Sequence, residues 1–342
     1  RPGPLRRANG AGTSAMTRAD NAPSPAAPLA ADARRILVIK HGAFGDVIQA
    51  EGALRDIREN HPDAHITVLT MPAYRALLAR CPHVDEVMVD ERAPRWRLDR
   101  MLALRQRLRE PGFDMVYDLQ NSKRTAFYYR WMFRDTRWSG TAKGCSHPHR
   151  AHAPKKIRTL DRLAGQLEDA GLTIRRSRKP DVSWLADDVS ALLEKAGVKE
   201  PFIVLVPGCS VRHPQKRWPH YALLAQRLMD AGHVVVMAPG PDEVELAKTI
   251  PGIIIEKTNW SALAGILKRA QFVIGNDTGP SHLAAHLGTP GLALFGRHMS
   301  AERTGIIREH FGVIEVEDLT TLPVERVLGE VTRRLGTHSN SV

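Results

Sequence analysis

Cysteine is scarce in this chain: three in 342 residues, Cys81, Cys145 and Cys209, odd in number and nowhere in a CxxC pair. That excludes a disulfide framework or a zinc ribbon and suits a reducing compartment. Long apolar runs are missing too. No stretch approaches the roughly 18 residues needed to cross a bilayer, and the N-terminus lacks the apolar core of a signal peptide. The expectation is a cytoplasmic protein, neither secreted nor membrane-spanning. No internal repeat of roughly 20 to 50 residues is visible, which argues against a solenoid. Large apolar residues are nearly absent from residues 1–33, where Ala, Pro, Gly, Arg and Ser dominate. Such a composition does not offset the entropy of ordering, so a disordered tail is expected there. The chain opens on Arg1 and its first methionine is Met16, so the leading residues are read as a consequence of where the start codon was placed.

The chain as a whole is 43% hydrophobic and 25% charged, the balance of a globular protein long enough for two domains. Net charge is +12, and its distribution is uneven. Residues 36–180 carry 27 basic and 17 acidic side chains, whereas residues 181–342 carry 16 and 18. A basic first half implies an anionic partner: nucleic acid, an anionic membrane surface or a phosphorylated substrate.

Short β-branched runs alternate with helical stretches at 35–40 (RILVIK), 65–70, 86–90 and 115–119, which predicts a parallel sheet flanked by helices. The pattern pauses between 137 and 182, apart from a helix near 160–170. It restarts at 202–207, 233–239, 252–256, 272–277 and 291–296, and a helix over 323–335 ends the chain. Two separate α/β sheets follow. The expected division is a tail at 1–33, a first domain at 34–182 and a second at 183–342.

Ligands of open parallel sheets bind at the carboxyl ends of the strands, so the residues just after each run matter most. Four places stand out. Lys40 to Asp46 (KHGAFGD) joins the first strand to a helix expected near Val47, with Asp46 either a helix cap or a carboxylate aimed into a cleft as a general base. It is not a GxGxxG dinucleotide fingerprint. Pro207-Gly208-Cys209-Ser210, followed by Lys216-Arg217-Trp218-Pro219, offers backbone N–H groups, a hydroxyl and a point charge suited to a diphosphate, or is a solvated loop with an incidental basic pair. Cys209 has no triad spacing that would make it a nucleophile. Asn276 to His282 (NDTGPSH) puts small polar residues at a helix N-terminus, an anion site, with Asp277 able to accept from sugar hydroxyls. Asp118 to Arg124 (DLQNSKR) sets Lys123 and Arg124 just past the fourth strand, for an anionic acceptor or as a solvated helix start. Cys145, His147, His149 and His152 are soft ligand types, but Pro148 and the crowded spacing fit no standard zinc pattern, so no metal and no cofactor is expected.

In order along the chain stand K-x4-GD, DLQ-x2-K, PG-x-S with KRWP, and NDTGPSH. Over about residues 35–335 the chain resembles the glycosyltransferase family 9 enzymes, the ADP-heptose lipopolysaccharide heptosyltransferases. The resemblance implies a GT-B fold, two Rossmann-like domains facing across a cleft, and inverting, metal-independent transfer from ADP-heptose. Asp46 would be the base. Ser210, Lys216, Asp277, Thr278, Gly279 and His282 would bind donor, and Lys40, Gln120, Lys123 and Arg124 the acceptor. The acceptor would be an anionic glycolipid, a lipopolysaccharide core or relative, met peripherally at the cytoplasmic face of the inner membrane, in keeping with the basic first half. Another nucleotide sugar as donor, or nucleotide-sugar binding without catalysis, are the alternative readings. Nucleic acid is not expected as a partner, because a nucleic-acid binder leaves the strand-end polar clusters unexplained and lacks a basic–aromatic motif.

Overall fold

The computed structural model describes residues 33–150, 157–210 and 213–339. All but the last residue of the tail expected over 1–33 lies outside them, as does His152. The first sheet contains β1 (Arg35–Ile39), β2 (His65–Thr70), β3 (Glu86–Val89), β4 (Met115–Asp118), β5 (Arg137–Gly140) and β6 (His147–Pro148). The second contains β7 (Phe202–Val206), β8 (Val234–Met237), β9 (Ile253–Ile254), β10 (Phe272–Asn276), β11 (Gly291–Phe295) and β12 (Phe311–Glu315). Every pairing is parallel.

Strand order is β3-β2-β1-β4-β5-β6 in one sheet and β12-β11-β10-β7-β8-β9 in the other. Counted from each sheet's own first strand, both have the doubly wound order 3-2-1-4-5-6. Strands β1 and β7 are apolar almost throughout because both their faces lie under helices, as parallel sheets require. The order reverses direction between β1 and β4 and between β7 and β10. The four loops singled out in the sequence follow these four strands, so both crevices at which such sheets bind ligands are built from them.

Three strands differ from the sequence expectation. β5 and β6 fill the stretch read as a pause, and β12 was not expected. β5 reads RWSG and β6 is only two residues, too few apolar positions to stand out, and the FGVIE of β12 is interrupted by glycine.

The chain changes sides at Asp181–Val182. Before that point the Asp56 carboxylate accepts the N–H groups of Arg175, Arg176 and Ser177, and Glu51 Oε2 accepts that of Asp181 at 2.7 Å, tying the segment to the first domain's helix Glu51–Asn60. From there Val182 N–H donates to His286 O and Asp187 N–H to Ser261 O, both in the second domain. The two domains share one continuous apolar core, which runs from Val47 and Ile48 to Leu283 and Ala284.

Candidate active site

The helix Phe44–Gln49 follows β1 and the helix Gly279–Leu287 follows β10, and their N-terminal turns pack on each other across the domain boundary. Gly279 is what allows this approach: a Cβ there would collide with the Phe44 ring. Phe44 in turn stacks on Trp260 of the second domain, with centroids 4.0 Å apart and planes at 16°. The Trp260 indole N–H donates back to Ala73 O at 3.2 Å, so the two domains are held by ring contact and hydrogen bond together.

Asp46 lies in the first turn of its helix. The helix begins at Phe44, one turn earlier than expected, and its N-cap is Ala43, so Asp46 is not the N-cap. Its Oδ2 accepts the Ala43 N–H at 3.1 Å, and the residue stays partly exposed. This one bond leaves carboxylate lone pairs open to a substrate hydroxyl. Lys40 is 3% exposed, its Nζ donating to Leu119 O at 3.4 Å. Burial lowers its pKa, opposed by the nearby Asp46 and Asp118 carboxylates. Burial likewise pushes Asp118 up to about 6, against hydrogen bonds from Thr125 and the Asn121 and Gln120 N–H groups and the charge of Lys40.

The other residues expected to meet the acceptor divide. Gln120 Oε1 accepts the His41 and Gly42 N–H groups at 2.9 and 3.3 Å, bracing the loop that carries Asp46. Lys123 is exposed at the start of the helix Lys123–Met132, which is capped by Ser122. Arg124 turns away to Tyr128 OH, to Ala93 O at 2.8 Å and to Asp90 Oδ2 at 3.6 Å. Asp90 is buried against His41 Nε2 at 3.0 Å. Burial alone would raise its pKa, but hydrogen bonds from His41 and Tyr128, the His41 charge and the Arg92 N–H hold it at about 2.

Among the residues expected to bind donor, Asp277 is the hub. It is 5% exposed, with Lys216 Nζ 2.6 Å from Oδ2, His298 Nε2 3.3 Å from Oδ2 and His282 Nε2 3.3 Å from Oδ1. Burial would raise its pKa; His282 and Lys216 outweigh that and hold the carboxylate well below its usual range. Thr278 stands at the N-cap position without a side-chain cap bond and Gly279 opens the helix, leaving N–H groups at its positive end. Ser210 is exposed at the end of the loop after β7. Buried Asn276 ties these loops together: its Nδ2 donates to Pro207 O and Gly208 O, and its Oδ1 accepts from Trp218 N–H and Tyr221 OH.

Gln49 joins the two halves. Its Nε2 lies 3.0 Å from His282 Nδ1 and also donates to Thr304 O. Gln49, His282, Asp277 and Lys216 thus form one path between the two switch points, with Asp46 one turn before Gln49 on the same helix.

Beside this path opens a cleft of about 790 Å³, walled mainly by the second domain, with Val206, Met237, Glu243 and Leu263, and closed by Phe44 and Tyr74 of the first. Glu243 packs directly on Gly208, where any Cβ would overlap its carboxylate. Burial raises its pKa, with the Gly240 N–H and Arg217 holding it back. Sequence reasoning missed Gln49, Glu243, Trp260 and His298. The rule that pointed to the other loops would have found Glu243, which follows the end of β8, whereas Gln49 has no local signal.

Among its described residues the histidine-rich segment makes no cluster. His147 Nδ1 meets Ser146 Oγ, His149 Nδ1 meets Asp169 Oδ2 at 2.8 Å, and Cys145 is buried. Among the described residues no group of three or more His, Cys, Asp and Glu is placed to hold a metal ion.

The sequence profile described as glycosyltransferase family 9 (heptosyltransferase) matches residues 101–325. Lipopolysaccharide heptosyltransferase 2 of Escherichia coli K12 is 28% identical over 296 residues, which covers 77% of this chain and 82% of that protein. Two solved structures share the fold. A family 9 glycosyltransferase from Veillonella parvula DSM 2008 superposes with a TM-score of 0.77 at 21% identity, covering 88% of this chain and 97% of that one. E. coli ADP-heptose lipopolysaccharide heptosyltransferase II gives 0.69 at 23% identity, with 89% and 99% covered.

Proposed function

Since the chain belongs to glycosyltransferase family 9 and is a sugar-transferring enzyme of GT-B fold, we propose that it moves heptose from ADP-heptose to a hydroxyl of a lipopolysaccharide core or related anionic glycolipid, with inversion at the anomeric carbon. The observation that carries this reading is the hydrogen-bonded path Gln49–His282–Asp277–Lys216, which starts one turn after the partly exposed Asp46 on the same helix and ends on a cation beside the N-terminus of the helix Gly279–Leu287.

In this reading the cleft holds the nucleotide, its apolar wall taking the adenine and the Glu243 carboxylate accepting from ribose hydroxyls. Lys216, Ser210 and the N–H groups after Thr278 meet the diphosphate. The acceptor hydroxyl gives its proton to Asp46 as its oxygen bonds to the anomeric carbon from the face opposite the leaving group. The bond from that carbon to the diphosphate oxygen breaks, and the negative charge leaves on ADP, where Lys216 and the helix N-terminus stabilise it. In the same reading the buried Lys40, whose pKa burial lowers, supports the loop carrying Asp46, and the exposed Lys123 would meet the acceptor's anionic groups. With the leaving charge met in this way, turnover is expected to persist in excess EDTA.

No described helix is long and apolar enough to cross a membrane. The proposed site of action is the cytoplasmic face of the inner membrane, reached peripherally. The test is a panel of nucleotide sugars. ADP-heptose at about 100 times its dissociation constant should add about 2.7 kcal/mol of stability and be slowly hydrolysed, with UDP- and GDP-sugars giving neither effect. Protection by a UDP-sugar alone would contradict the donor assignment.

A further inference from the structure

Half of the large apolar side chains that the described protein exposes lie in one short stretch. Trp96 is 76% exposed, Leu98 67% and Leu102 55%. The helix Leu98–Arg109 already buries an inward face through Met101, Leu104 and Leu108, so Leu98 and Leu102 point outward with no packing role. Residues 91–110 carry seven arginines against three carboxylates, Glu91, Asp99 and Glu110, and residues 94–100 are all exposed.

The neighbouring helix Lys123–Met132 continues this surface. The Arg95 guanidinium lies 5.2 Å from the Phe127 ring centroid and Arg105 lies 5.6 Å from that of Trp131, which sets the two segments side by side, with Arg130 exposed beyond. Apolar side chains standing among arginines suit an interface where rings and aliphatic tips enter the acyl boundary while cations stay among head groups.

The position matters as much as the composition. The stretch leaves the carboxyl end of β3, and Arg124 fastens it there through Ala93 O while lying 3.6 Å from Asp90, which contacts His41 in the loop carrying Asp46. Because the sheet is parallel, this is the edge at which Asp46 stands.

We propose that the Arg95–Leu102 face, continued by the exposed side of the helix Lys123–Met132, docks the enzyme on an anionic phospholipid bilayer and presents the cleft to a lipid-borne acceptor. The occupant is chosen by charge: Arg97 pairs with Asp99 and Arg100 with Glu91 and Asp99, but the arginines outnumber these carboxylates, so a neutral apolar partner would desolvate uncompensated positive charge, whereas phospholipid phosphates pair with it. The presentation of acceptor rests on the glycolipid reading above, but the docking itself does not.

The full chain should therefore co-sediment with phosphatidylglycerol-containing vesicles and not with pure phosphatidylcholine vesicles, and release as salt rises. The triple variant Trp96→Ser/Leu98→Ser/Leu102→Ser and the triple variant Arg95→Gln/Arg97→Gln/Arg100→Gln should each lose at least about tenfold in vesicle partitioning, with unchanged melting temperature and unchanged turnover on a soluble, delipidated acceptor. Equal binding to neutral and anionic vesicles, or partitioning by either variant like that of the parent, would overturn the proposal. So would a dimer of the parent chain that the serine variant dissolves, since the face would then be a contact between copies. If no sugar transfer is found while vesicle binding behaves as described, the docking stands and the functional reading falls.

Discussion

Gln49 and His282, 233 residues apart in sequence, meet with Nε2 and Nδ1 3.0 Å from each other across the domain boundary. The same Gln49 nitrogen donates to the Thr304 carbonyl, which can only accept, so the amide orientation is fixed. His282 Nδ1 must then accept, its proton sits on Nε2, and that proton faces Asp277 Oδ1. A first-domain residue thereby sets the tautomer of a histidine that faces the Asp277 carboxylate.

The first prediction follows directly. Nitrogen shifts of His282 should report the Nε2–H tautomer in the parent protein and a mixture in Gln49→Leu. The variant should lose roughly tenfold in kcat/KM, as expected for a positioning contact. Unchanged His282 shifts in Gln49→Leu would detach Gln49 from the site.

Lys216 is the cation closest to Asp277 and, in the proposed function, to the leaving diphosphate. Lys216→Ala should weaken ADP binding and lower turnover by on the order of 10² or more, the usual loss for an electrostatic contact made in the transition state. Isothermal titration with ADP and single-turnover rates check both. Unchanged affinity and turnover would move the diphosphate elsewhere.

Asp90 gives a prediction in pH. Its native pKa is held at about 2, below the ordinary carboxylate value of 3.8. A depressed carboxylate adds stability above its unfolded pKa and loses it as pH falls through the folded one. The shift corresponds to about 2 kcal/mol, present above about pH 4 and lost between about pH 4 and pH 2. Denaturant melts of the parent and Asp90→Asn should therefore differ most at neutral pH and converge by about that amount on acidification. A difference independent of pH would show that the His41–Asp90 contact adds nothing through charge.

Much of this was legible from local chemistry. Strands such as RILVI and FIVLV are apolar on both faces, which marks the centre of a parallel sheet, and the polar residues after them fell at the two switch points because topology puts ligand loops there. What the sequence concealed depends on contact between distant segments. The Phe44–Trp260 stack and the Gln49–His282 bond have no periodicity to betray them. The early start of the helix at Phe44 has the same origin, since Phe44 is packed under Gly279 and Trp260 and is drawn into the first turn. Arg124 looked like a cation free for substrate, and only the fold reveals Asp90, Tyr128 and Ala93 around it.

The central claim is that Asp46 takes the proton from the acceptor hydroxyl. The most direct measurement is turnover of ADP-heptose and acceptor by Asp46→Asn, alongside its melting temperature and its affinity for ADP. Asparagine keeps an oxygen to accept the Ala43 N–H but removes the base. The account predicts a fall in turnover of roughly 10² to 10⁴ with folding and donor binding little changed. Near-normal turnover in a folded, ADP-binding Asp46→Asn protein would contradict it and leave Asp46 only the task of holding the first turn of its helix.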